Sequence, residues 1–261
     1  MSDGSSPGDE FAAGYRVRFD EAAPDGRIRT SGLLRYSQDL AAQHSESLGY
    51  DRAWYAARGL TWLVRAAEVA IVAAMPYGSL LQGATRVLGF RRVWSRRESV
   101  FTLPDGSTAA SVRIDWVLLD ERGRPARIPA EFERVFPAPA DTLQLGRVTL
   151  GDPAPDAARR AFRVRPQELD PMDHVNNAAY ADWVDEAILA GRTDGAPDPT
   201  RSIPRRLWLE YALAAEPDSM LKTVSWFAGG GWSVRISGED GGVEVARARL
   251  EGGDSIAPDG R

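Results

Sequence analysis

Apolar side chains recur along this chain in two rhythms, and the alternation between them defines its elements. Tyr15-Arg16-Val17-Arg18-Phe19 alternates apolar with charged residues as a half-buried strand does. From Leu33 to Leu48 the spacing becomes helical, with Leu33, Tyr36, Leu40, His44 and Leu48 on one side and Gly49 as a left-handed stop. A short helical connection over Tyr50 to Arg58 precedes strands at Leu60 to Val72, Ser79 to Trp94, Glu98 to Leu103 and Ala109 to Leu119. Turns at Met75-Pro76-Tyr77-Gly78, Pro104-Asp105-Gly106 and Glu121-Arg122-Gly123 divide them as hairpins divide an antiparallel sheet.

The order then repeats. Phe162-Arg163-Val164-Arg165 echoes Tyr15 to Arg18, and apolar positions from Ala178 to Ala190 predict a second helix stopped by Gly191. Strands at Arg206 to Leu213, Met220 to Phe227, Trp232 to Ser237 and Val243 to Glu251 follow it. A duplicated helix-then-strands pattern predicts an α+β chain of two similar domains, over 15–137 and 161–252. A Pro/Ala/Asp-containing linker over 138–160 joins them, and 1–14 and 253–261 read as loose ends.

At 261 residues and 43% apolar content the chain is long enough for two cores. A formal charge of -5 argues against a nucleic-acid partner, so an anionic ligand needs a local basic patch. Arg91, Arg92, Arg96 and Arg97 supply a candidate, either a docking patch or arginines snorkelling over a strand. With no cysteine, disulfides and thiol nucleophiles are excluded, and with His44 and His174 as the only histidines a His-rich metal site is not expected. No signal-like segment and no apolar run near the roughly 20 residues of a membrane span is visible, so no membrane partner and a cytoplasmic protein are expected. His44, on the apolar stripe, reads as a packed or substrate-lining residue.

Polar reactive groups concentrate in Leu169-Asp170-Pro171-Met172-Asp173-His174-Val175-Asn176-Asn177, just before the second helix. Pro171 favours an extended Asp170, and the Asp and Asn residues are helix-capping types, so a helix is expected to start at Asn176 or Asn177. Such a start offers free N–H groups and partial positive charge for an oxyanion. Asp170 can act there as base or nucleophile, and His174 can orient water. The same residues also serve simply as caps.

The pattern formed by Asp170, His174, Val175, Asn176, Asn177, Tyr180 and Trp183 resembles the hotdog-fold thioesterases, and most of all the acyl-acyl-carrier-protein thioesterases with two hotdog domains in one chain. The Asp170-Pro171 pair is also similar to the hydroxybenzoyl-CoA thioesterase branch, where the matching aspartate is catalytic. Leu60 to Arg65, Arg96-Arg97-Glu98, Gly123 to Ile128, Ile128 to Glu131, Leu209-Glu210-Tyr211 and Pro217-Asp218-Ser219 support the resemblance. It implies two tandem hotdog domains, each a sheet wrapped around a long helix, and hydrolysis of a fatty acyl thioester without metal or redox cofactor. Asp170, His174, Asn176 and Asn177 would be the catalytic group, and Trp62 and Tyr180 would join the arginines in binding substrate or carrier. Acyl carrier protein or coenzyme A would carry the acyl group, which would lie between the two helices and the sheet. A monomer or homodimer is expected, because two fused copies can pair with each other.

Departures from the family pattern sharpen the picture. Met172 stands where Asn is common, and Ala214 and Ala215 where Glu and Cys are, leaving Glu210 and Glu216 as weak candidates for a second carboxylate. Setting Tyr36 against Tyr180 puts Thr30 opposite His174 and Gly26 opposite Asp170, so the first copy lacks the acid. One working site per chain is expected. An acyl-CoA or aryl-CoA thioesterase and a non-catalytic acyl-binding protein are the alternatives.

Overall fold

The computed structural model describes residues 10–136, 146–193, 198–239 and 242–253. Most of the loose ends and part of the linker expected from sequence lie outside these residues. Strand β1 (Phe11–Arg16) is followed by helix α1 (Thr30–Ser47), a one-turn helix α2 (Arg52–Ala56), and strands β2 (Thr61–Ile71), β3 (Leu80–Arg91), β4 (Trp94–Thr102) and β5 (Thr108–Leu119). The second half runs β6 (Ala158–Arg163), α3 (Ala179–Gly191), β7 (Arg205–Tyr211), β8 (Met220–Ala228), β9 (Gly231–Gly238) and β10 (Glu244–Gly252).

All ten strands form one antiparallel sheet in the order β1-β3-β4-β5-β2-β7-β10-β9-β8-β6. Read inward from either edge, the two halves have the same order, so β1 corresponds to β6 and β2 to β7. The joint is β2 on β7, with Ala66 opposite Glu210 and Ile71 opposite Arg205. A bulge in β2 falls at Arg65 and turns its guanidinium onto the Tyr211 and Ala212 carbonyls. That contact closes the end of the joint with two backbone acceptors.

One core cluster holds the buried faces of both helices, Leu33, Leu34 and Leu40 from α1 and Trp183, Val184 and Ile188 from α3, against alternate residues of the strands. Period 2 decides which strand residues face them. On β7, Leu207, Leu209 and Tyr211 point to the helices, and Trp208 and Glu210 point the other way.

The structure corrects several sequence expectations. The first strand takes in Phe11–Arg16, part of the stretch read as a loose end, because these residues find a ready partner in the edge of β3. Ser79 to Trp94 is not one strand: Arg92, at φ 56°, turns a hairpin between β3 and β4. Gly49, at φ 84°, is the left-handed stop expected for α1. Gly191 instead ends α3 inside the helix, where a Cβ would lie 2.8 Å from Ser225 Oγ. It is small because strand β8 passes close, not because the backbone turns.

Candidate active site

Helix α3 begins at Ala179, later than expected, because Asn176 Oδ1 accepts the Ala178 N–H at 2.9 Å and its carbonyl accepts the Ala179 N–H. Before it, Leu169 and Val175 form a single bridge, and Asp173 takes a left-handed φ of 59° at the tip of the loop between them. Asp170 organises this loop: its Oδ1 accepts the N–H groups of Met172 at 2.8 Å and His174 at 3.3 Å. Its Oδ2 has no hydrogen bond among the described residues. The carboxylate is therefore oriented through one oxygen and open at the other.

Three further residues hold the loop, and sequence reasoning missed them. Glu168 accepts Trp183 Nε1–H and the Arg165 N–H on its two carboxylate oxygens, and its carbonyl accepts the Asn176 N–H at 2.8 Å. From the other half, Arg52 donates to the Pro171 carbonyl at 3.3 Å, and Thr61 Oγ1 lies 3.8 Å from Met172 Sδ. Glu168, three residues after Arg165 and just before the conspicuous loop, carried a capping signal that could have marked it. Arg52 and Thr61 carried none, since only folding brings them across.

Asp170, Pro171, Met172 and Asn176 form one wall of a cavity of about 520 Å³, within the range of small-ligand sites. The remaining walls belong to the first half: Gln38, Ala41, Ala42, Ser45 and Glu46 on one face of α1, and aromatic residues such as Trp62, Phe90, Trp116 and Phe132. The cavity thus runs along α1 and the first-half strands, not between both helices as expected. Tyr50, Phe132 and Phe136 stack into a second hydrophobic cluster that backs it.

Arg97 enters the cavity wall as a buried cation, with Nη1 2.8 Å from His44 Nδ1. As Arg97 can only donate, His44 Nδ1 is the acceptor in that bond. Burial lowers the guanidinium to about 10, partly opposed by Tyr55, so it stays charged at neutral pH.

The predicted site residues therefore divide. Asp170, Asn176, Trp62 and Arg97 line one cavity. His174 contributes its backbone to the loop, and its ring is exposed and outside that lining. The Asn176 N–H is taken by Glu168, which corrects its expected oxyanion role; the Asn177 N–H has no acceptor among the described residues. Tyr180 is only 2% exposed and its hydroxyl accepts the Ala215 N–H, so it pins the helix rather than touching the cavity. Burial pushes that phenol up to about 12, eased by the Ala215 bond.

The four arginines do not form one patch. Arg91 and Arg92 are exposed at the hairpin, while Arg96 and Arg97 fall on opposite faces of β4 and are spent inside. Arg96 makes a two-bond pair with Asp115 at 2.6 and 2.8 Å. Neither weak second-acid candidate reaches the cavity. Glu210 points to the outer face of β7, accepting the Val148 N–H and lying 3.8 Å from Arg65, and Glu216 is exposed in a turn. Among the described residues, the other carboxylate lining the cavity is Glu46, on the helix of the opposite half.

Among the described residues no cluster of His, Asp and Glu is placed to hold a metal, and no helix is long and apolar enough to cross a membrane. The sequence profile of the acyl-ACP thioesterase N-terminal domain matches residues 8–136, and that of the C-terminal domain matches 152–225. A dodecanoyl-[acyl-carrier-protein] hydrolase of Umbellularia californica is 25% identical over 267 residues, spanning 92% of this chain and 67% of its own length. A palmitoyl-acyl carrier protein thioesterase of Arabidopsis thaliana is 23% identical, spanning 84% of this chain but 55% of its own. In fold, the chain matches the 12:0-ACP thioesterase of U. californica with a TM-score of 0.76 at 23% identity, covering 93% of this chain and 96% of that one. An acyl-ACP thioesterase of Bacteroides thetaiotaomicron also gives a TM-score of 0.76, at 14% identity, covering 93% and 97%. With both domain profiles matched in order across the two halves that meet at this cavity, the chain belongs to the acyl-ACP thioesterase family.

Proposed function

We propose that this protein hydrolyses fatty acyl thioesters of acyl carrier protein to the free acid and the carrier thiol. The observation that carries this reading is the Asp170 carboxylate, oriented by its own loop and set in the wall of an aromatic and aliphatic cavity. The two halves are read as tandem hotdog domains over 15–137 and 161–252, supported by their repeated strand order and by helices enclosed on one side of the shared sheet. The first supplies the acyl pocket and the second the acid.

In the proposed reaction, Asp170 Oδ2 takes a proton from water as the water oxygen bonds to the thioester carbon. The carbonyl oxygen becomes an oxyanion facing the Asn177 N–H at the entry to α3. Collapse breaks the C–S bond, and the proton held by Asp170 passes to the departing thiolate. Asn176 keeps the helix entry rigid, and His174, exposed on the loop, meets the carrier's arm rather than the carbonyl. The acyl chain lies along Ala41 and Ala42 of α1.

Purified protein, wild type and Asp170→Asn, offered panels of acyl-acyl-carrier-protein and acyl-CoA substrates tests the proposal by thiol release. Wild type is expected to release thiol from the carrier-protein panel. Release from the CoA panel alone would move the activity to acyl-CoA, and acyl binding without release would make this an acyl-binding protein.

A further inference from the structure

The internal repeat builds a second cleft from positions equivalent to those of the acyl cavity. With Tyr36 set against Tyr180, the α1 residues of the cavity, Gln38, Ala41, Ala42, Ser45 and Glu46, correspond one for one to Asp182, Asp185, Glu186, Leu189 and Ala190 of α3. Those five line a cleft of about 1210 Å³. Pro171, Met172 and Thr61 likewise correspond to Arg27, Ile28 and Arg205, which also line it. Two sites were therefore laid down by one architecture, and only one kept the acid, since Gly26 stands where Asp170 would be.

The second cleft has been rebuilt with charge. Most of its arginines are neutralised locally: Arg27 by Asp25 at 2.7 Å, Arg35 by Asp182 at 3.2 Å, Arg160 by Glu186 at 3.1 Å and Arg201 by Asp198 at 3.1 Å. Arg205 is different. It is 7% exposed, and among the described residues its hydrogen bonds run to the Ser202 carbonyl at 3.1 Å and Thr30 Oγ1 at 3.5 Å. No carboxylate among the described residues pairs with it. Burial lowers its pKa, opposed chiefly by the charge of Asp185 and further by Asp25 and Asp198. A buried guanidinium with no carboxylate within ion-pair distance is costly, and its planar fork suits a two-oxygen acceptor. Asp185, half-buried in the same cleft, has neither hydrogen bond nor ion pair among the described residues. Burial, added to by Asp182 and Asp198 and opposed by Arg205 and Arg29, pushes its carboxyl up to about 7. Near neutrality it can stand as a hydrogen-bond donor.

We propose that this second cleft binds a small oxyanion headgroup, carboxylate or phosphate, on the Arg205 guanidinium, with Asp185 donating to it and the rest of the ligand lying along Ile28, Met75 and Leu189. With Gly26 in the equivalent loop, the cleft binds without hydrolysing. The inference stands apart from the proposed thioesterase reaction, because none of these residues belongs to the acyl cavity.

Isothermal titration of the whole chain with inorganic phosphate, and separately with decanoate, tests it on wild type, Arg205→Gln and Asp170→Asn. Wild type is expected to take one equivalent of phosphate, or one equivalent of decanoate beyond any held in the acyl cavity. That equivalent weakens at least tenfold in Arg205→Gln and is unchanged in Asp170→Asn. Phosphate binding alone assigns a phosphate-bearing ligand; the decanoate equivalent alone assigns a carboxylate. The proposal is overturned if neither probe yields an equivalent sensitive to Arg205→Gln. Should that variant fail to fold, Asp185→Ala carries the test, and affinity equal to wild type overturns the proposal.

Discussion

In the proposed reaction one side chain, Asp170, is both structural and reactive. Its Oδ1 closes the loop through two N–H groups, its Oδ2 has no hydrogen bond among the described residues, and the residue lines the cavity. Asp170→Asn keeps an acceptor oxygen for both bonds and removes only basicity. Thiol release should fall by about 10³-fold or more with the melting temperature nearly unchanged, as assays and thermal unfolding in parallel would show. His174→Ala should cost far less, since only its backbone orders the loop. Asp185 makes a second prediction, about pH. Burial holds its carboxyl near 7 when folded, against 3.8 for a free aspartate, so the folded state holds that proton more tightly. Stability is therefore lost as pH rises from about 4 to 7 and stays lost above. Asp185→Asn should lack this loss, and its advantage over wild type in denaturant unfolding should grow between pH 5 and pH 8. Allowing for the water that reaches a half-buried carboxyl, the gain should be roughly 1–2 kcal/mol.

Helix α3 follows the Asp170 loop, and helix α1 lines the cavity proposed to take the acyl chain. Trp183 ties the first to Glu168, whose carbonyl in turn holds Asn176. Trp183→Phe keeps the ring's bulk but loses that bond, and should destabilise the fold by about 1 kcal/mol while lowering kcat. On α1, Ala41 lies on the cavity-lining face. Ala41→Phe should fill part of the cavity and shift preference toward shorter acyl chains across a thiol-release panel. The long helices and the inner strands appear where the 3.6 and 2 rhythms place them, while the edge strands β1 and β6 lie several residues earlier than the rhythm suggests. Errors fell at boundaries, at the Arg92 hairpin and at the start of α3, where a left-handed residue or a side-chain acceptor sets the end and periodicity carries no signal.

Across the molecule, each half completes the other. The β2–β7 joint makes the sheet continuous, and the wall opposite the Asp170 loop comes from the first half. The second half expressed alone, residues 146–253, should therefore release no thiol even where it folds, as the same assay would report. The duplication, the α+β class and the polar loop before α3 are legible in the chain alone, because local periodicity and short-range capping are written in neighbouring residues. The aligned positions also carry Asp170 in the second copy and Gly26 in the first. Tertiary structure alone decided the rest. Arg96 and Arg97 differ by one position in sequence, yet strand pleat sends one to Asp115 and the other into the cavity wall. Glu210, Glu216 and Tyr180 leave the site for the same kind of reason, since side-chain direction and burial depend on partners far along the chain. Arg52, Thr61 and Glu46 reach the site only because two strand edges meet, and the pairing of distant segments is a contact no local pattern encodes.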